Sequence, residues 1–186
     1  MKTRFITIVV VASLVAAGVV CAKPSVATET HTVEVAFSPQ GGAEQLVLRA
    51  INESQRSIRV LAYAFTAEPV VRALIRAKRR GVDVAVTVDY RQNIEEDRSG
   101  RARAALGALT YAGVPVTVVR AFSSQHSKYM VFDERSVETG SYNYTQQAAR
   151  YNSENALLLS DQPAVAQQYL RNWNEVTALG ESYRAR

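Results

Sequence analysis

The chain has 186 residues, of which 47% are hydrophobic and 21% charged, and its 22 Lys and Arg against 17 Asp and Glu give a formal charge of +5. Those values exclude a fully disordered chain, a collagen-like repeat and a polytopic membrane protein. A single cysteine, Cys21, excludes an intramolecular disulfide and a cysteine-built zinc site, and two histidines, His31 and His126, exclude a histidine-rich metal centre.

The N-terminus has the layout of a secretory signal peptide: basic Met1–Arg4, an uncharged apolar run of 16 residues from Phe5 to Val20, then Val20-Cys21-Ala22. Residues 1–22 are therefore expected to be removed, residues 23–30 to form a polar lead-in, and residues 31–186 to form one domain. An uncleaved anchor is the weaker reading, because a spanning helix needs roughly 20 apolar residues. A lipoprotein built on Cys21 is weaker still, because Val20 is larger than the residue such cleavage prefers. The mature protein would be periplasmic or secreted, free of cysteine, with a charge of +3.

Residues 31–37 alternate like a strand, 38–42 form a turn, and 43–53 place Leu46, Val47, Ala50 and Ile51 on one helical face. Residues 57–65 read as a buried strand. A helix then starts at Glu68-Pro69 and stops at the basic turn Lys78-Arg79-Arg80 before Gly81. Residues 82–89 read as a strand, 90–99 as a charged, solvated loop able to border a groove, 101–112 as a helix and 114–119 as a strand. Residues 125–132 and 137–139 read as hairpin partners turning at 133–136, with a short helix over 144–150 and a buried strand over 156–159. A final amphipathic helix over 163–180 carries Val165, Tyr169, Trp173 and Val176 on one face. The alternation predicts an α/β fold, a mixed β-sheet flanked by helices on both faces. Tight turns between some strands argue against an all-parallel sheet.

One stretch carries chemistry: His126-Ser-Lys128 through Asp133, followed by Gly140-Ser141-Tyr142-Asn143. On a strand, residues two apart share a face, so His126 and Lys128 would point together, as would Ser141 and Asn143. An imidazole, a fixed cation and two uncharged donors make an anion site, with no carboxylate pair beside them to hold Mg²⁺. That inventory suits a phosphoryl centre attacked without metal or other cofactor.

His-x-Lys-x4-Asp followed by x6-Gly-Ser-x-Asn resembles the HKD motif of the phospholipase D superfamily, with His126, Lys128, Asp133, Gly140, Ser141 and Asn143 all in place. Ser153-Glu154-Asn155 is similar to the family's acidic element, and Ala62–Thr66 with the segment up to Asp89 is similar to its N-terminal half. The resemblance spans roughly residues 35–180, and within the superfamily it is to the small single-motif bacterial endonucleases. It implies that His126 attacks phosphorus and forms a phosphohistidine, that Lys128 and Asn143 hold the non-bridging oxygens with Ser141 in support, and that Glu154 accepts from a histidine ring nitrogen. Asp133 falls at odd spacing from His126 and is expected to be structural, pairing with a cation, as Gly140 is expected to be structural.

Family chemistry uses two histidines, and His31 lies in no motif and reads as a surface residue, so the second His126 is expected from another chain in a homodimer with the site on its twofold axis. The resemblance implies a nonspecific nuclease acting on DNA, with RNA a second candidate substrate. A phospholipase D acting on phosphatidyl headgroups is the alternative, and a non-catalytic nucleic-acid-binding module a third. Tyr129 and Tyr144 read as packing residues, whereas Tyr142, between Ser141 and Asn143, is a candidate to face substrate. Stable membrane association is not expected once the signal is removed.

Overall fold

The computed structural model describes residues 32–185. The signal and lead-in segments and His31 lie outside the described residues. The sheet has eight strands in the order β1 (Thr32–Ser38), β7 (Glu154–Ser160), β6 (Ser136–Gly140), β5 (Tyr129–Phe132), β2 (Ser57–Ala62), β3 (Asp83–Asp89), β4 (Val116–Val119) and β8 (Glu181–Ser182). β2, β3 and β4 are parallel, and every other neighbouring pair is antiparallel. The parallel trio is joined by helical crossovers, α2 (Glu68–Arg79) and α3 (Arg101–Tyr111). The antiparallel pair β5–β6 is joined by a tight turn, as the sequence led one to expect.

Alternation along each strand divides the side chains between two faces. Met130 and Phe132 of β5 enter a large core with α1 (Gly42–Glu53), α2, α3 and α4 (Gln146–Arg150). Tyr129 and Val131 enter a smaller one against α5 (Pro163–Ala178), where Val165, Tyr169, Leu170 and Trp173 pack on Leu61, Val119 and Val137. Among the described residues helices thus lie on both faces, α1 to α4 on one and α5 on the other. The basic end of α2 works locally: Arg80 donates to the Ile51 and Ser54 carbonyls at 3.0 and 3.2 Å, closing the C-terminus of α1.

Two expectations need correction. The strand expected over 125–132 begins only at Tyr129, where its ladder with β2 ends at the Leu61–Tyr129 pair. The loop expected over 90–99 contains a π-helical turn at Arg91–Glu95 and two buried polar residues, Asn93 and Asp97. Asp97 accepts the Arg103 N–H at 2.9 Å at the start of α3, so this segment anchors structure as well as meeting solvent. The two-residue strand β8 was invisible beforehand, as nothing in so short a segment carries a period.

Candidate active site

The strand ends define the site. β2 and β5 run antiparallel with Leu61 opposite Tyr129, so the end of β2 meets the start of β5, and Gly140 at the end of β6 faces Ala156 near the start of β7. A pocket of about 590 Å³ opens there on the α5 face, and its walls include His126, Lys128, Ser141, Asn143, Glu154 and Tyr169. All five residues expected to do chemistry therefore reach one pocket, although His126 and Lys128 stand on an irregular extended segment rather than on a strand.

Residues around His126–Lys128 hold that segment. The Asp89 carboxylate, buried at the end of β3, accepts the N–H of Gln125 at 2.8 Å and that of Gln92 at 2.7 Å. The Gln125 amide, oriented to satisfy both neighbours, donates to the Ala62 carbonyl at 3.0 Å and accepts from the Ser127 N–H at 3.2 Å. Asn93 donates to the Tyr63 and Asp89 carbonyls at 2.6 and 2.7 Å and accepts the Phe65 N–H at 3.0 Å. Tyr63 so held lies with its ring centroid 4.5 Å from that of His126.

His126 is exposed, while Lys128 is only 7% exposed. The Lys128 ammonium donates to His126 Nδ1 at 2.9 Å and to the His126 carbonyl at 2.7 Å, and lies 5.0 Å from the Tyr63 ring centroid. Burial pushes the Lys128 pKa below its usual value, and the Glu154 carboxylate opposes that shift. A cation so largely desolvated gains more from an incoming anion than one in water would.

Glu154 accepts from the Ser141 hydroxyl at 2.6 Å and from the Asn152 amide at 2.9 Å. No hydrogen bond joins it to His126 within this chain among the described residues. Ser141 Oγ accepts the Asn155 N–H at 3.0 Å, and the Asn155 carbonyl in turn accepts the N–H groups of Ser141 and Tyr142 at 3.1 and 3.2 Å. That doubly used carbonyl explains Gly140: a Cβ there would stand 2.3 Å from it. Asn143 lines the pocket, and its Oδ1 is buried without a partner.

Tyr142 is fully buried in the large core and does not face the pocket, which corrects the expectation for it. Asp133, expected to pair with a cation, makes no ion pair among the described residues and instead bonds to backbone. It sits at the other end of β5 with φ 52°, and its carboxylate accepts the N–H groups of Gln55, Arg56 and Ser57 at 3.0, 2.7 and 2.9 Å. It fastens the α1–β2 turn to the β5–β6 turn.

Sequence reasoning missed Tyr63, Asp89, Asn93 and Gln125 around the histidine, and Tyr169 and Asn172 of α5 in the pocket wall. Asp89 offered one signal, an acid directly after the β-branched run Val86-Thr87-Val88. The others offered none that a periodic pattern would reveal.

A histidine, a desolvated lysine and uncharged donors around one open pocket are a set suited to a phosphoryl group, and similarity to known proteins places them in a family of phosphodiester hydrolases. The family model described as cardiolipin synthase, PLD-like domain, matches residues 47–176. The chain belongs to the phospholipase D superfamily. The crystal structure of Nuc from Salmonella typhimurium, a phospholipase D family member, is similar with a TM-score of 0.79 and 39% identity, over 82% of this chain and 98% of that one. A protein named phospholipase D from Rickettsia conorii is 32% identical over 76% of this chain and 67% of its own length. A mitochondrial cardiolipin hydrolase from Xenopus tropicalis is 34% identical over 70% of this chain and 59% of its own.

Proposed function

We propose that this chain is a metal-independent nuclease that cleaves DNA, and RNA second, through a phosphohistidine on His126 in a site completed by a second copy of the chain. The observation that carries this reading is the convergence of His126, Lys128, Ser141, Asn143 and Glu154 on one pocket. No cluster of three His, Cys, Asp or Glu residues able to hold a metal occurs among the described residues, and the cation at the site is Lys128.

In the proposed reaction a ring nitrogen of His126 attacks phosphorus. A P–N bond forms and the P–O bond to the leaving group breaks. Lys128 and Asn143 take the non-bridging oxygens, where charge accumulates in the transition state. Removing one such contact costs about 3 kcal/mol in comparable sites. The partner subunit's His126 protonates the leaving oxygen and then takes a proton from the water that breaks the P–N bond. Ser141 holds Glu154, and Glu154 accepts from a histidine ring nitrogen and fixes its tautomer.

The α5 face supports the partner. α5 leaves the β1–β7 end of its face uncovered, where Val33, Val35 and Phe37 are 59%, 56% and 64% exposed beside half-buried Leu157 and Leu159. Val165, Tyr169, Leu170 and Trp173 of α5 are themselves only partly buried. A bare apolar half-face beside the pocket and an incompletely sealed helix are what a twofold-related copy would cover together.

Full-length likeness to Nuc favours the nuclease over the lipase, since this small domain covers nearly all of that chain. The names of the Rickettsia and Xenopus relatives favour a lipid substrate, and the apolar strip beside the pocket gives that second reading a physical basis. Among the described residues no helix is long and apolar enough to cross a membrane. The basic-then-apolar N-terminus supports export to the periplasm or beyond.

The test is plasmid nicking by the purified protein in EDTA, beside His126→Ala and vesicles of phosphatidylcholine or cardiolipin. Nicking that survives EDTA and disappears in His126→Ala is expected. Headgroup release without nicking would replace the nuclease with the phospholipase.

A further inference from the structure

A second groove, of about 1180 Å³, lies at the far edge of the sheet between α3 and the segment that follows α5. At its mouth, beyond the C-terminal ends of β3 and β4, the Arg120 guanidinium lies 3.2 Å from the centroid of the Tyr90 ring. Tyr183 lines its side, and Tyr111, which is 84% exposed, stands at the far end of α3. The mouth is not strongly cationic. Arg120 meets Glu181 at 3.2 Å and Glu95 at 3.8 Å, and Arg103 donates to the Ile94 and Asp97 carbonyls at 2.7 Å each.

The groove therefore offers flat π-surfaces more than charge. Tyr90 holds Arg120 flat, which leaves the outer plane of the guanidinium as a shelf. Tyr111 adds an exposed ring, and side chains as small as Ala104 and Ala108 leave the space between open. Planar shelves of this kind accept nucleobases without reading sequence, because every base has a π-face.

The mouth of the groove also stands close to the pocket at His126, although the two share no lining residue. Tyr90 follows Asp89, Asp89 holds the N–H of Gln125 at 2.8 Å, and His126 follows Gln125. Counting Cα spacings and one hydrogen-bonded side chain, the mouth lies within about 15 Å of His126, a few nucleotides along an extended strand. We propose that this groove is a stacking subsite for single-stranded nucleic acid, which takes the bases a few nucleotides from a phosphodiester held at His126. The proposal rests on the nuclease reading. Paired bases in a duplex cannot turn their faces onto these shelves, so the subsite would give the enzyme a preference for single strands.

The experiment compares the full wild-type protein with Tyr111→Ala and Arg120→Ala on four substrates. These are bis(p-nitrophenyl) phosphate, a 30-nucleotide single strand, the same strand with abasic positions flanking the cut, and a duplex. Each variant is expected to raise KM on the intact single strand about tenfold. Turnover of the chromogenic diester should be unchanged, KM on the abasic strand should not rise further, and the preference for single strand over duplex should shrink. Unchanged KM on the intact strand, or an equal rise on intact and abasic strands, would overturn the subsite while leaving the nuclease standing. A wild-type protein that hydrolyses the chromogenic diester but neither form of DNA would overturn the nuclease reading, and the subsite with it. Because Tyr111 is almost wholly exposed, its variant separates loss of the shelf from loss of the fold.

Discussion

The two faces of the sheet do different work. Four helices cover one face, and its core runs without interruption from α1 to α3. Among the described residues the other face has α5 alone, which seals a smaller cluster and leaves the strip of Val33, Val35 and Phe37 exposed. The candidate active-site pocket opens on this thinner side, bounded by Tyr169 and Asn172 of α5. The contrast separates stability from function: burial on the four-helix face holds the strands in register, and that register is what brings the ends of β2, β5, β6 and β7 together on the other face.

The sharpest break of that contrast is at His126. His126→Ala is expected to lower phosphodiester cleavage on the order of 10³-fold or more, because it removes the proposed attacking group. Thermal stability should hardly move, since the side chain is exposed and packs mainly on Tyr63. Kinetics with parallel melting curves check both halves, and a collapsed melting curve would assign His126 to the fold instead.

The converse change is Leu74→Ala on the four-helix face. Leu74 is fully buried, and its truncation should cost about 2–5 kcal/mol. Denaturant unfolding measures that loss, while kcat per folded molecule should stay near wild type. A large fall in kcat at full folding would mean that the two faces are coupled more tightly than their separate cores suggest.

Glu138 sharpens the comparison because it is an ionisable group buried in the stable side. It is 1% exposed and accepts from the Tyr144 hydroxyl at 2.7 Å. Burial pushes its pKa up to about 8, with the Tyr144 hydrogen bond opposing. An unfolded glutamate titrates at about 4.3, so between about 4 and about 8 the folded chain holds a proton that the unfolded chain gives up. That contribution to stability is full below about 4 and is lost as pH rises through about 8. Glu138→Gln keeps an acceptor for Tyr144 and removes the titration. Its stability advantage over wild type should grow from near zero at pH 4 to as much as about 5 kcal/mol at pH 8. Melting curves across that range check the slope, and a parallel pair of curves would show Glu138 to be ionised in the fold.

Much of this site was legible because a motif is a local code: six positions at fixed spacing carried the histidine, lysine, asparagine and their supports before any coordinates. The helices and the alternation of strands with helices were legible for a similar reason, since period and glycine stops are local. What escaped was contact between segments distant in sequence. Asp89 reaches Gln125 across 36 positions, and Asn93 reaches back to Phe65 across 28. Tyr142 was misread because alternation was carried past Gly140, where the Asn155 carbonyl accepts two successive N–H groups and the strand ends. The pairing of β1 with β7 depended on topology and left no trace in either segment alone.

That pairing sets up the smallest expected effect on the single chain. Val35 lies opposite Leu157 on the edge strand, 56% exposed on the uncovered half of the α5 face. In an isolated chain Val35→Lys should change stability by no more than about 0.5 kcal/mol, because an exposed edge position tolerates a long charged side chain and edge strands often carry lysine. In a dimer that covers this strip, the same change buries an ammonium without a partner and should dissociate the assembly. Sedimentation should then show monomer where wild type shows dimer. Activity should fall with the loss of the partner subunit's His126, and mixing with His126→Ala chains should not restore it. If Val35→Lys remains dimeric and fully active, the bare strip is not the seam, and the second histidine must approach from another side of the pocket.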